Sequence, residues 1–272
     1  MRKKLIGIGI CLGLMFVLVS CKEGGNMENT DKTDEMVQEE TTISEEEAMR
    51  NIASLKQLRE CAQKGEMPSA EVEESIKNDA VLLKDARIED IREELLLLLM
   101  SDHPEYLMTA YEMGLTQYFM PEFDVLAESE IDPTVCKHTI KMVQSVKATE
   151  VLRLAGLFHD FARPACAVKG EGGSMTYNGH DIEGAKIAET IMKRLEFDKD
   201  MINQVAKLIR YHDYKLTAEE DAISKAIDEV GKDTYFDLLE LLKGDILAQI
   251  PNPSNKKLTE MEKIIEMSQK YK

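Results

Sequence analysis

The chain has 272 residues, of which 43% are hydrophobic and 31% charged, a composition that excludes a largely disordered protein and one made of membrane spans. Its formal net charge is −17, and residues 84–272 alone hold 24 Lys and Arg against 35 Asp and Glu. A surface of this sign repels phosphate backbones, so the charge disfavours broad nucleic-acid binding.

The first twenty residues have the layout of an export signal. Met1–Lys4 is basic, Leu5–Ser20 is uncharged and mostly apolar, and acidic sequence follows. The apolar stretch is short for a bilayer core of ~30 Å at about 1.5 Å per residue, which disfavours a permanent spanning helix. We therefore predict a cleaved signal peptide over residues 1–20.

The end of this segment, Leu18-Val19-Ser20-Cys21, resembles the lipobox of bacterial lipoproteins, in which cleavage precedes a cysteine that carries a lipid on its sulfur. The resemblance implies that Cys21 is the first mature residue. It further implies a protein lipid-anchored to the bacterial cell membrane on its extracytoplasmic face. Simple secretion and a spanning helix are the alternatives.

Residues 21–47 contain few large apolar side chains, no periodic pattern and an excess of acidic residues. Such a segment buries too little surface to offset its ordering entropy, so we predict a flexible acidic tether. The cysteines beyond it, Cys61, Cys136 and Cys166, are widely spaced with no C-x-x-C pair. This spacing predicts small buried side chains and neither a zinc knuckle nor a disulfide framework.

From Ala48 onward the apolar residues recur with helical spacing. Arg87–Met100, for example, places Ile88, Ile91 and Leu95 on one face. Breakers separate such segments, and only Ala167–Tyr177 has a pattern compatible with a short β-hairpin. The sequence predicts an all-α body, with a neck-like helical segment over 48–125 and a functional domain over 126–272.

The chain has five histidines: His103, His138, His159, His180 and His212. One of them follows a segment that should run through the core, because Val151–Phe158 is apolar apart from Arg153 and ends in His159-Asp160. Burying this pair without partners would cost several kcal/mol. Either a metal ion or a simple buried His–Asp hydrogen bond would remove that cost.

Other segments supply possible partners for this pair. Taken singly, His138 is compatible with a helix start, His180 and His212 with solvent-facing helix ends, and Asp245 with a surface carboxylate. Imidazoles and carboxylates that converge in a helical core suit a divalent metal such as Mn, Fe, Co, Ni or Zn. We expect His103 to lie outside such a site, because Asp102-His103-Pro104 is typical of a turn that starts a helix.

The order His … His-Asp … His … His … Asp resembles the HD superfamily of metal-dependent phosphohydrolases, and in particular the HD-containing region of bacterial tRNA nucleotidyltransferases. The resemblance covers roughly residues 45–250 and includes the flanking phrases Gly114–Glu122, Arg153–Asp160 and Tyr177–His180. It implies an HD-domain helical bundle behind a helical neck, with one or two divalent ions, Mg included.

The resemblance also assigns roles to individual residues. It implies one ion held by His138, His159, Asp160 and Asp245. It implies a second ion held by His180 and His212, with Asp160 bridging the two. Asp160 and Arg163 would be catalytic, Arg163 and Lys169 would bind phosphate, and the loop Cys166–Gly179 would cover the site.

The sequence departs from the family pattern at two points, and these limit which properties of the family the resemblance implies for this chain. Phe161-Ala162-Arg163-Pro164 replaces the usual Ile-Gly-Lys-Pro, which keeps the positive charge but stiffens the turn. No Gly-Ser turn followed by Asp-x-Asp occurs before residue 87, so nucleotide addition to tRNA is not implied.

The predicted function is therefore hydrolysis of a phosphorylated small molecule or nucleotide. The alternatives are a catalytically degraded HD domain that serves as a binding or interaction module, and an RNA-binding remnant related to tRNA nucleotidyltransferases. A module of the first kind would not need all six metal ligands, and the acidic body argues against the second.

Overall fold

The computed structural model describes residues 43–249, 252 and 254–272. The predicted signal peptide, Cys21 and the tether up to residue 42 lie outside the described residues. None of the helices within this part of the chain combines the length and apolar character that a bilayer crossing requires.

Helices make up 73% of the described residues, and the sheet there has only two short strands, which confirms the all-α prediction. The helices are α1 (Glu45–Lys64), α2 (Ala70–Asp79), α3 (Ile88–Leu99), α4 (Tyr106–Glu112), α5 (Thr116–Phe119), α6 (Pro121–Ala127), α7 (Val135–Ser145), α8 (Glu150–Phe158), α9 (Arg163–Cys166), α10 (His180–Arg194), α11 (Lys199–Tyr211), α12 (Glu220–Val230), α13 (Lys232–Ala248) and α14 (Asn255–Ser268). The strands β1 (Val168–Lys169) and β2 (Met175–Thr176) pair antiparallel and lie within Ala167–Tyr177, the segment whose sequence is compatible with a short hairpin.

The first helix begins slightly earlier than the sequence predicts. Ser44 caps α1 by accepting a hydrogen bond from the backbone N–H of Glu47, so the helix starts three residues before Ala48. Gly65 ends it with a φ of +66°, a conformation that favours glycine. A Cβ at Gly65 would lie 2.7 Å from Nε2 of His103, so this histidine packs against the end of α1.

A nearly buried ion pair joins the two longest helices of the neck. On α1, the Nε of Arg59 donates to Oε2 of Glu94 on α3 at 2.6 Å, and Nη2 donates to Oε1 at 3.2 Å. The two parallel hydrogen bonds match the planar guanidinium to the carboxylate and fix the register of α1 on α3.

The core of the second half is built around α8. This helix packs against α7, α11 and α13, and every residue from Leu152 to Phe158 is buried, as the apolar pattern predicts. Helix α13 also packs against α7, so closely that a Cβ on Gly244 would lie 2.6 Å from Cγ1 of Val146, the residue that follows α7. This contact sets His138 of α7 opposite Asp245 of α13.

Polar contacts attach the neck to the rest of the body. Nη1 of Arg92 donates to the backbone oxygens of Leu195 at 3.0 Å and Glu196 at 2.6 Å, and Arg194 pairs with Glu122 at 2.6 Å. Residues 43–272 form one compact unit. The boundary predicted between 125 and 126 falls inside α6, and the nearest break is the turn that follows this helix.

The three cysteines of the described chain are unpaired. Only Cys136 is fully buried, whereas Cys61 and Cys166 are half-buried, so the prediction of three buried thiols holds for one of them.

Candidate metal centre

The end of α8 delivers an imidazole and a carboxylate to the interior. Thr149 caps the start of the helix by accepting from the N–H of Leu152, and His159 and Asp160 follow its last turn. His159 is 0% and Asp160 3% exposed, so both groups depend on partners within the protein.

One group of partners comes from α7 and α13. The Nε2 atoms of His138 and His159 lie 3.2 Å apart, and Oδ2 of Asp160 lies 3.7 Å and 3.3 Å from them. Oδ1 of Asp245 lies 3.0 Å from Nε2 of His138 and 4.0 Å from that of His159. Two imidazoles and two carboxylates therefore converge.

A second group lies on the opposite side of the same carboxylate. The Nε2 atoms of His180, the first residue of α10, and His212, which follows α11, lie 3.0 Å apart. Oδ1 of Asp160 is 3.4 Å from the former and 3.7 Å from the latter. Asp160 thus turns one oxygen toward each pair of histidines.

Backbone carbonyls orient all four imidazoles in the same way. Nδ1 of His138 lies 3.2 Å from the carbonyl oxygen of Ala248, and Nδ1 of His159 lies 2.8 Å from that of Gly156. Nδ1 of His180 lies 2.7 Å from the carbonyl oxygen of Tyr177, and Nδ1 of His212 lies 2.6 Å from that of Ile209. Because a carbonyl can only accept, Nδ1 of each ring carries a proton, and in the neutral ring the lone pair of Nε2 points into the cluster. This is the arrangement that backbone carbonyls impose on metal-ligating histidines.

The cluster is electrostatically incomplete without positive charge between the rings. Two neutral imidazoles with lone pairs facing each other at 3.0–3.2 Å repel, unless a proton or a cation lies between them. Burial lowers the pKa of His138 and of His212. Hydrogen bonds from the protonated rings to Asp245 and to Asp160, together with the negative charges of these carboxylates, outweigh burial, so both pKa values are raised.

The carboxylates respond in the opposite direction. Burial raises the pKa of the Asp160 carboxyl, but the charge of His159, hydrogen bonds from His159 and His212, and Arg163 lower it, so its pKa lies well below the usual value. Burial also raises the pKa of Asp245, but its hydrogen bond with His138 and the positive charges of His159 and His138 together outweigh burial, so the pKa of Asp245 is lowered. Both side chains are therefore anionic, as metal ligands must be.

The donor atoms fit divalent ions. In each of two sets, one ligand atom per residue lies within 4.8 Å of the others; the sets are His138, His159 and Asp160, and Asp160, His180 and His212. Donors spaced in this way can share an ion at bond lengths of about 2.0–2.2 Å, and a mixed N and O set suits borderline metals. Asp245 extends the first set, whereas His103 belongs to neither and instead faces Oε1 of Glu105 at 3.0 Å.

Arg163 was predicted to bind phosphate, but in the structure its side chain contacts residues of the protein itself. Its Nη1 donates to Oδ2 of Asp160 at 2.9 Å, and its Nη2 lies 2.7 Å from Oδ2 of Asp132. The guanidinium also stacks on the ring of Tyr177 at 4.2 Å. Burial lowers the pKa of Arg163, but Asp160 and Tyr177 raise it by more, so the side chain stays charged and committed to these partners.

A cavity of about 470 Å³ opens over the cluster, with Thr134, Tyr177 and Gln249 among its lining residues. Lys169 is not one of them, because it lies exposed on β1. Lys257 of α14 lines the cavity instead, although no sequence motif marks it. Asp132 was missed as well, since a carboxylate ahead of Pro133 is typical of an ordinary turn.

Comparisons with known proteins agree with this geometry. Residues 134–250 match the HD domain family, and residues 68–126 match the family described as the probable RNA and SrmB-binding site of polymerase A. The chain is 30% identical over 171 residues to a CC-adding tRNA nucleotidyltransferase of Thermus thermophilus, an alignment that covers 59% of this chain and 39% of that protein. It is 26% identical over 196 residues to an A-adding tRNA nucleotidyltransferase of Deinococcus radiodurans, covering 64% and 44%.

These matches define what the chain contains. It carries an HD domain, of the metal-dependent phosphohydrolase superfamily, joined to a neck homologous to that of tRNA nucleotidyltransferases. The chain spans less than half the length of these two relatives.

Proposed function

Because the chain joins an HD domain to a nucleotidyltransferase-like neck, we propose that it is a metal-dependent phosphohydrolase acting on a phosphorylated small molecule or nucleotide. The observation that carries the proposal is Asp160, whose two oxygens face two separate histidine pairs. A site of this form is suited to two divalent ions that share one carboxylate.

In this proposal each ion has its own set of side-chain ligands, and Asp160 belongs to both sets. His138, His159, Asp160 and Asp245 hold one ion, and His180, His212 and Asp160 hold the other. Bound metal would supply an acidified water and would neutralise negative charge on the phosphoryl oxygens. The carbonyl hydrogen bonds to Nδ1 keep each Nε2 turned into the cluster, so the rings need no reorganisation when ions bind.

Arg163 supports this arrangement from one side. By joining Asp160 to Asp132, it holds the shared carboxylate in place, and its stacking on Tyr177 links the site to the loop that follows β2. With both terminal nitrogens engaged, its contribution to a bound phosphate is through charge and not through a bidentate grip.

The neck serves as a support for the HD domain in this proposal and not as an RNA-binding surface. The match over 68–126 favours RNA binding, but this segment holds four Lys and Arg against fourteen Asp and Glu. Such a surface repels a phosphate backbone.

The proposed location is the extracytoplasmic face of a bacterial cell membrane, through a lipid on Cys21. It is supported by the sequence Leu18–Cys21 that follows a basic and then an apolar segment. Cys21→Ser should yield unprocessed or soluble protein in cell fractions. Wild-type protein in the cytosol with Met1 intact would contradict the anchor.

The catalytic proposal is tested on metal-stripped protein supplied in turn with Mn, Fe, Co, Ni, Zn or Mg. Hydrolysis of para-nitrophenyl phosphate, its bis ester, nucleotides and cyclic nucleotides is then measured. We expect a divalent metal to restore turnover, Asp160→Asn to abolish it, and His103→Ala to retain it. Metal binding without hydrolysis of any of these compounds would instead favour the binding module.

A further inference from the structure

Arginine and lysine each contribute one basic side chain to the cavity lining, and only one of the two is free to bind a ligand. Arg163 is held by Asp132 and Asp160. Lys257 is exposed, and among residues 43–249, 252 and 254–272 no carboxylate lies within ion-pairing distance of it. A cavity wall of an acidic protein therefore presents an unpaired ammonium group.

The helix that carries Lys257 is firmly seated. Met261 and Ile264 of α14 are buried, and the hydroxyls of Ser268 and Tyr235 lie 2.8 Å apart in the interior. Ser254 caps the first turn by accepting from the backbone N–H of Lys257 itself. The backbone of this lysine is thus fixed at the cavity, although it lies beyond the HD match, which ends at residue 250.

The cavity has room for more than one phosphoryl group. Its volume of about 470 Å³ falls within the range of roughly 300–1,000 Å³ that is typical of pockets for whole small molecules. Apart from the cluster and the carboxylate of Asp213, which lies 3.7 Å from Nε2 of His180, the residues that line the cavity are mainly uncharged and polar, including Thr134, Gln249 and Asn252. These groups suit a polar, charged substrate better than an apolar one.

We propose that Lys257 binds a second phosphate of the substrate, so that the preferred substrates are phosphate esters with two phosphoryl groups. One of these is the group hydrolysed at the histidine–aspartate cluster, and in this respect the inference rests on the proposed function. The other lies at the cavity wall formed by α14. An ammonium group that forms no internal ion pair can bind this phosphate without breaking an existing contact.

The test uses binding, measured by calorimetry on Mn²⁺-loaded protein. The probes are short alkanediol bisphosphates of increasing chain length, with butyl phosphate as the monophosphate reference. Wild type should bind its best bisphosphate about 10-fold more tightly than butyl phosphate, the effect of one charge-assisted hydrogen bond. Lys257→Ala should remove this preference, and Lys257→Arg should keep it. Lys256→Ala is the matched control, since Lys256 is an exposed neighbour on the same turn that does not line the cavity.

Two results would overturn the inference. In the first, the wild-type protein shows no preference for any bisphosphate. In the second, Lys257→Ala weakens the binding of butyl phosphate and of bisphosphates equally, which would place Lys257 at the same phosphate as the cluster. Turnover is measured separately. A bisphosphate preference without hydrolysis would refute the proposed function alone, and hydrolysis without the preference would refute this inference alone.

Discussion

Gly244→Ala adds a methyl group where α13 packs against Met142 of α7 and against Val146, the residue that follows α7. The new Cβ would lie 2.6 Å from Cγ1 of Val146 and 3.3 Å from Sδ of Met142. The methionine can shift, but Val146 is β-branched, buried and stiff about χ1. The clash must therefore be relieved by moving the helices apart, and this displaces Asp245 from His138.

The size of the effect follows from two opposing contributions. Alanine in place of glycine inside a helix stabilises by about 1 kcal/mol, whereas overpacking a core costs about 1–3 kcal/mol. A contact of 2.6 Å favours the upper half of that range, so we expect a net loss of about 1–2 kcal/mol. Gly156→Ala is the matched control, because its Cβ would meet Met142 at an ordinary 3.5 Å and should stabilise by up to about 1 kcal/mol.

Urea unfolding followed by circular dichroism measures both changes. We expect the midpoint to fall for Gly244→Ala and to hold or rise for Gly156→Ala. In a double-mutant cycle, Val146→Ala should make Gly244→Ala less costly. Gly244→Ala protein as stable as Gly156→Ala protein would refute the close packing of α13 on α7 as the structure has it.

Three further predictions concern single side chains. Burial raises the pKa of the Cys136 thiol to about 11. Peptide mapping after alkylation near neutral pH should therefore show that Cys136 is labelled more slowly than Cys61 and Cys166, and equal labelling rates would contradict its burial. Arg59→Met should lower the free energy of unfolding, measured in urea, by roughly 2–3 kcal/mol, because it leaves the carboxylate of Glu94 unpaired. Adding Glu94→Leu should recover most of the loss, and an Arg59→Met protein as stable as wild type would argue against the pair. Arg163→Lys should lower the affinity for metal about 10-fold or more, since an ammonium cannot join Asp132 to Asp160 as the guanidinium does. Unchanged affinity would show that Arg163 does not position Asp160.

The sequence was sufficient for the helical body and for the central pair of site residues. The run Val151–Phe158, apolar apart from Arg153, identified α8 as a core helix, and the His159-Asp160 pair at its end had to find partners inside the protein. Which distant residues would supply them could not be worked out from periodicity. His180 and His212 are each compatible with an exposed helix end, and only tertiary packing buries them against Asp160.

The side chains around the cluster were harder to predict for physical reasons. The role of Arg163 depends on Asp132, a turn carboxylate that precedes α7 and has no signature of its own. Lys169 occupies a two-residue strand, too short for an alternating pattern to show which face is exposed. Lys257 approaches the cavity only because α14 folds back onto α12 and α13, a contact that no local pattern encodes.

The central claim is that the cluster around Asp160 binds divalent metal, and metal titration of the purified protein tests it most directly. Calorimetry with Mn²⁺ should show binding by wild type and by His103→Ala. Asp245→Asn should weaken only the ion at His138 and His159, whereas Asp160→Asn should weaken binding at both histidine pairs by about 100-fold or more. If Asp160→Asn binds Mn²⁺ as wild type does, or if wild type binds none, the metal centre proposed for this protein does not exist.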